Sequence, residues 1–208
     1  MCLSETTRDV RRALVRSGIE PAGRLRVMAS GRTVTDDCSL VVKLEQSPDR
    51  SAAYVADLEE FHRVGVPAEE LLVRRPLRIG DRWATVVGYV HAVEPTQARH
   101  AEAVGRLLRQ IHDLVWPYTE PRAQAEVYCP DDWRPENIII SATGPVMIDL
   151  DRAGAWPRSR AVQVAVDDFA APLGQREPIQ TAVLRGYGTH ADLEVPCASR
   201  GSSGGKSG

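Results

Sequence analysis

The sequence predicts an α+β protein built as two lobes. Up to about residue 90, short β-branched runs are broken by turn residues, with a single helix inserted among them. From residue 97 helical periodicity takes over and is interrupted by one hairpin. Strands and helices are therefore segregated along the chain rather than alternating, which favours α+β over a parallel α/β sheet. A chain of 208 residues suits two small lobes sharing a cleft. The junction falls near Val90 to Pro95. It divides the chain into an N-lobe, 1–90, a C-lobe, 91–195, and a polar tail, 196–208.

"SETTRDVRRALVRSG" reads as a capped amphipathic helix. Ser4 or Thr6 starts it, Val10, Leu14 and Val15 face inward, and Gly18 ends it. "LRVMASGRTVTDDCSLVVKLEQ" is a strand meander turning at Ser30-Gly31-Arg32 and at Asp36-Asp37. A second helix opens at Ser47-Pro48, repeats Val55, Leu58 and Phe61 or His62 on one face, and stops at Gly65. "ELLVRRPLRIGDRWATVVGYV" forms two strands around Gly80-Asp81. "QARHAEAVGRLLRQIHDL" is an amphipathic helix lined by Ala101, Val104, Leu107 or Leu108, and Ile111. "NIII" and "PVMIDL" pair as a hairpin around Thr143-Gly144. "VQVAVDDFAAPLG" and "EPIQTAVLRGYG" are helices, and "SRGSSGGKSG" has no apolar content and is expected to be disordered.

Composition narrows the partners. Hydrophobic residues make up 43% and charged residues 26%, as in ordinary soluble domains, and the formal net charge of −2 gives no nucleic-acid or membrane footprint. No apolar run approaches membrane-spanning length, and the N-terminus lacks the apolar core of a signal peptide, so the cytoplasm is the expected location. Cys2, Cys38, Cys129 and Cys197 have no metal-ligand spacing and read as free thiols. The tail's "GSSGGKS" is no phosphate loop, because Arg200 stands at the first glycine position and neither strand nor helix flanks it.

The informative stretch is "CPDDWRPENIIISATGPVMIDLD", residues 129–151. Phosphoryl transfer needs a cation beside the phosphates, oxygen ligands for a divalent metal, and a carboxylate beside the attacking hydroxyl. Lys43 in the strand "LVVKLE", the Asp-x-x-x-x-Asn unit Asp132 to Asn137, and Asp149 after a strand occur in that order. The five-step spacing lets one loop hold a base at one end and a metal-binding amide at the other. A hairpin can then return a second carboxylate to the same point. Each residue has a plainer reading too. Asp132 and Asn137 are ordinary turn chemistry, and Lys43 could be a solvated strand lysine. A carboxylate such as Asp149 at the end of an apolar strand is costly without a partner, which favours the metal. His112 reads as a core histidine and Cys129 as a small buried side chain.

With these motifs the chain resembles the aminoglycoside phosphotransferase and choline kinase family, the small-molecule branch of the protein-kinase-like fold. "CPDDWRPENIII" matches that family's His-Gly-Asp-x-x-Pro-x-Asn loop, and "VMIDLDRAG" its Ile-Asp-x-Asp element. "AVGRLLRQIHDL" matches its Leu-His helix, "FHRVGVPAEELL" the end of its N-lobe helix, and "VDDFA" a later Asp-Leu-Ala. The resemblance spans roughly residues 20 to 190. It implies that Asp132 orients or deprotonates an acceptor hydroxyl, Asn137 and Asp149 hold Mg²⁺, and Lys43 contacts the α/β-phosphates of ATP or GTP. Main chain around Val87 to Tyr89 would meet the purine, Asp151 would support the loop, and Asp168 would cap a helix or orient the loop. The implied activity is transfer of the γ-phosphate to a hydroxyl of an aminoglycoside-like molecule, sugar or amino alcohol.

The pattern departs from the family in three places. Pro130 and Asp131 replace His-Gly. The acid expected to pair with Lys43 belongs near Ala53 or Tyr54, whereas Asp57, Glu59 and Glu60 come a turn or more later. The chain after Asp151 is short for an acceptor pocket. Two alternatives follow: a catalytically impaired nucleotide- or partner-binding module, and a kinase acting on a peptide Ser or Thr. Arg134 would meet either a phosphate or an acid such as Asp151.

Overall fold

A computed structural model describes residues 3–28, 32–113, 126–130, 132–149 and 153–188. An antiparallel sheet dominates the N-terminal region and helices dominate the C-terminal part, so the α+β expectation holds. The five-stranded sheet has the order β1-β2-β3-β5-β4, from β1 (Leu25–Val27), β2 (Thr33–Thr35), β3 (Leu40–Glu45), β4 (Leu77–Ile79) and β5 (Arg82–Gly88). Helix α1 (Leu3–Arg16) precedes it and α2 (Pro48–Val64) is inserted after β3.

Side chains alternate across a strand, and this decides which face each residue of β3 serves. Leu40 and Val42 pack with Ala84, Val86, Leu77 and Ile79 against Val10, Ala13 and Leu14 of α1. Val41 and Val87 point the other way, into the larger core with Tyr54, Leu58 and Phe61 of α2. Lys43 shares the parity of Val41 and so faces α2 and the cleft. Ser51 Oγ and Thr85 Oγ1, 2.9 Å apart, add a buried polar tie between α2 and β5.

Two inward-facing assignments need correction or resolution. Val15 is 52% exposed, because at helical spacing from Val10 and Leu14 it is Ala13, not Val15, that completes the buried stripe. On α2 it is Phe61, not His62, that is buried. The turn at Asp36-Asp37 and the hairpin at Gly80-Asp81 form where expected. Of the turn at Ser30-Gly31-Arg32, only Arg32 lies within the described residues, and the tail lies outside them.

The C-terminal part begins with a turn at Ala98–His100 leading into α3 (Ala101–His112). Strand β6 (Glu126–Pro130) pairs with β9 (Ala153–Pro157), and β7 (Ile138–Ser141) forms the hairpin with β8 (Gly144–Met147). The β6–β9 pair is absent from the sequence reading. "AGAWP" offers little β-propensity, and its partner lies across the loop and hairpin, so no local pattern marks it. Helices α4 (Arg158–Ala170) and α5 (Arg176–Tyr187) close the fold.

Helices α3 and α5 meet backbone to backbone. A Cβ on Gly105 would overlap the carbonyl of Val183, and one on Gly186 the carbonyl of Glu102. Both obstacles are main chain, so the helices themselves would have to separate. Gly105→Ala or Gly186→Ala should each cost about 3 kcal/mol, the upper part of the over-packing range. Thermal melting should fall by roughly 6–12 °C for a domain of this size. A melting temperature equal to wild type would show that these helices do not touch here.

Candidate active site

Lys43 is only 6% exposed and its ammonium is surrounded by named partners. It donates to Glu69 Oε2 at 2.6 Å and to the Tyr54 hydroxyl at 2.5 Å, and lies 3.4 Å from Asp149 Oδ1. Tyr54 in turn donates to the same Glu69 oxygen. The other Asp149 oxygen pairs with Arg32. Asp149 sits just after β8 with φ +68°, a left-handed conformation that non-glycine residues rarely adopt. Ile148 N–H donates to the Asn137 carbonyl at 2.9 Å, which holds Asp149 beside the end of the Asp132 loop.

The loop itself is compact. Pro135–Asn137 form a single 3₁₀ turn closed by Asn137 N–H to the Arg134 carbonyl at 2.9 Å. The Asn137 amide nitrogen lies 3.4 Å from the Asp132 carbonyl, a long contact that leaves the amide oxygen turned away from it. Arg134 clasps Asp132 with a two-pronged fork, Nε to Oδ1 at 2.7 Å and Nη2 to Oδ2 at 2.6 Å. That hydrogen-bonded guanidinium holds the Asp132 carboxyl below its usual range. Arg134 also reaches Glu136 at 3.2 Å. Its partners are thus acids, but Asp132 and Glu136; Asp151, like Asp131, lies outside the described residues. Asp168 on α4 lies against the Trp133 backbone, and burial, then the charge of Asp132, pushes its carboxyl up. Pro130 is held in the β6–β9 pair and Asp132 in the Arg134 fork.

Above the loop is a cavity of about 200 Å³. Val34 and Val41 line it from the sheet, Ile139 and Ile148 from the hairpin side, and Tyr89 and Val90 from the segment after β5. Its polar end is formed by Arg32, Lys43 and Glu69. An apolar slot with a few convergent charged groups is the usual form of a small-molecule site. Lys43 and Tyr89 both line it, whereas Val87 is fully buried between Val41 and the Leu71 bridge. Gly88 N–H is engaged by the Glu70 carbonyl at 2.7 Å and Tyr89 N–H by Ser39 at 3.2 Å.

Asn137 and Asp149 are hard oxygen donors of the kind magnesium takes. Among the described residues no cluster of three His, Cys, Asp or Glu ligands forms. The chemistry fits Mg²⁺, which is commonly held by one or two protein oxygens and otherwise by phosphates and water. His112 belongs to the core: burial drives its imidazole down to about 3, and Nδ1 meets the Tyr187 hydroxyl at 3.1 Å. Cys129 is buried. Three participants, Glu69, Tyr54 and Arg32, were not marked by the sequence. Tyr54 occupies the place where the family pattern leads one to expect an acid, and Glu69 lies beyond the end of α2. No periodicity connects them; only the shared contact with Lys43 does.

A second, half-buried acid links the two parts of the chain. Asp57 on α2 accepts a hydrogen bond from the Tyr128 hydroxyl of β6 at 2.8 Å. Burial pushes the Asp57 carboxyl up to about 6, against the lowering effect of that bond. Its folded pKa exceeds the ordinary value, so the folded state binds the extra proton. The resulting stability is fully present at low pH and is lost as pH rises through about 6. Asp57→Asn should therefore flatten the fall in urea midpoint between about pH 4.5 and pH 7. An unchanged pH slope in the variant would place the titration elsewhere.

Comparison with known proteins agrees with this architecture. Residues 29–194 match the model of the APH phosphotransferase enzyme family. A search of curated proteins gives no sequence match. Among solved structures, the chain resembles the aminoglycoside phosphotransferase APH(3'')-Id of Streptomyces rimosus in complex with ADP and streptomycin. The two are 16% identical over 87% of this chain and 91% of that one, with a TM-score of 0.64. A spectinomycin phosphotransferase in complex with ADP and spectinomycin is 12% identical over 88% of this chain and 80% of its own, with a TM-score of 0.67. Choline kinase LicA of Streptococcus pneumoniae is 12% identical over 90% and 81% of the two chains, with a TM-score of 0.62. At these identities the structures speak for the fold; the family match spans most of the sequence, including Lys43, the Asp132 loop and Asp149, and the chain belongs to the phosphotransferase enzyme family.

Proposed function

We propose that this protein transfers the γ-phosphate of ATP or GTP to a hydroxyl of a small molecule. The observation that supports this most directly is the meeting of Lys43 and Asp149, 106 residues apart in sequence, at the polar end of an apolar cavity. In this reading the cavity takes the purine against Val34, Val41, Ile139 and Ile148, near Tyr89 and the main chain that follows Val87. Lys43 meets the α/β-phosphates as a compact point charge. Asn137 and Asp149 would hold Mg²⁺, whose chemistry when bound is to neutralise phosphate charge. Asp132 orients the acceptor hydroxyl and takes its proton. With Arg134 holding its carboxyl low, Asp132 contributes more through orientation than through basicity. The solved relatives in complex with streptomycin and spectinomycin, and the choline kinase, make aminoglycoside-like molecules and amino alcohols the first acceptors to try.

A second reading rests on two contacts. Arg134 covers both oxygens of Asp132, and Arg32 and Lys43 between them cover both oxygens of Asp149. A nucleotide-binding module without turnover would tolerate both.

Calorimetry of ATP and GTP with and without Mg²⁺ separates these readings from a protein that binds neither. Wild type should bind with an affinity that rises with Mg²⁺, and Asp149→Ala should lose the metal-dependent part. With an acceptor found, Asp132→Asn should lower turnover by about 10²–10⁴-fold, the usual worth of a positioned base. Wild-type turnover in that variant would remove the role given to Asp132. Nucleotide binding without turnover on any hydroxyl acceptor would favour the second reading, and absence of binding by folded wild type would end both.

A further inference from the structure

Lys43 is one of only two lysines in the chain, with Lys206, while the remaining cations of the Lys and Arg total of 26 are arginines. A lysine at the buried position gives a point charge with three donors rather than a planar fork. Two of its contacts, to Glu69 and Tyr54, lie on the buried side, and a third looks to Asp149 across the cleft. The acids of α2 are committed or turned elsewhere. Asp57 bonds Tyr128, Glu60 pairs with Arg63, and Asp49 and Glu59 are exposed. What α2 supplies to Lys43 is the neutral hydroxyl of Tyr54. The charge comes from Glu69, 3% exposed, in the segment after the helix.

That segment is fastened to both parts of the molecule. On the sheet side, Gly88 N–H donates to the Glu70 carbonyl at 2.7 Å and Leu72 N–H to Val86 at 3.0 Å. On the other side, Met147 N–H meets the Pro67 carbonyl at 3.4 Å, and Ala68 forms a bridge with Met147. Met147 ends β8, two residues before Asp149. We propose that Glu69 is the positioning residue for Lys43, with Tyr54 as its relay, and that residues 66–72 rather than α2 set where the ammonium stands. Lys43 and Asp149 are thereby referred to one frame, the seam between the sheet and the β7–β8 hairpin. The orientation of Lys43 needs no movement of α2. This inference rests on the phosphotransfer reading for its purpose, but its geometry can be tested without nucleotide.

The test is the rate at which an amine-acylating reagent labels Lys43 in the intact chain, with Lys206 as internal reference. Removing the counter-charge favours the neutral, reactive amine. Glu69→Gln should raise the Lys43 rate about tenfold, and Tyr54→Phe should raise it by less. Asp57→Asn, on the same helix, should leave it unchanged. In parallel, Glu69→Gln should weaken Mg²⁺-dependent nucleotide binding about tenfold, and Glu69→Asp should reverse part of both changes. A Lys43 rate in Glu69→Gln equal to wild type overturns the proposal, as does a larger effect from Asp57→Asn. If Glu69→Gln fails to fold, Tyr54→Phe decides by the same readout, with a wild-type rate overturning the relay. Absence of nucleotide binding by wild type would sink the phosphotransfer reading alone, since the labelling result still decides who positions Lys43.

Discussion

A single buried ammonium constrains much of this protein. Lys43 reaches its pocket because β3 alternates, and its parity is fixed by Val42 and Leu40 packing on α1. A slip of one residue would send the charge into the apolar layer under α1 and bring Val42 to the cleft. Once placed, a buried cation must find acceptors, because leaving it alone costs several kcal/mol. Glu69, Tyr54 and Asp149 meet that demand, and each arrives from a different element. The pocket therefore joins β3, α2, the segment after α2 and the end of β8 through side-chain chemistry as well as apolar contact.

The same logic shapes the loop. Asp132, Arg134 and Glu136 lie within five residues of one another, so their charges pair locally. Trp133, between the first two, is fully buried and anchors the loop in the core. Polar residues point out at the cleft and one large apolar residue points in. The loop is thereby stiff without the histidine that the family places before the aspartate.

Below the cleft, space is saved by glycine. Gly105 and Gly186 let α3 and α5 approach closer than any side chain would allow. This close contact gives the helical part a firm floor for β6 and the hairpin that carry the site. His112 and Tyr187, bonded across the same pair of helices, mark where polar groups are sealed in, with Arg158 donating to the tyrosine at 2.8 Å.

Some of this was legible in the sequence, for a reason that can be stated. Helical and strand periods are local, so α2, α3, the Gly80-Asp81 hairpin and the β7–β8 hairpin could be read from short windows. The Asp132 loop and Asp149 could be read because a loop and a hairpin keep their spacing along the chain. The β6–β9 pair could not, since its strands are distant and "AGAWP" is poor in β-formers. Nor could the partner of Lys43. A helix face is what a sequence displays, so α2 is where the sequence leads one to expect the acid. The carboxylate came instead from Glu69, delivered by main-chain bonds of residues 66–72 to β5 and β8. By itself the sequence determined the α+β class, the main helices and the two local hairpins, and it set Lys43, Asp132, Asn137 and Asp149 in an order that phosphate and metal chemistry could use. The tertiary structure decided which groups share the pocket, because a buried charge is satisfied by whatever acceptor packing brings within 3 Å, whatever its distance along the chain.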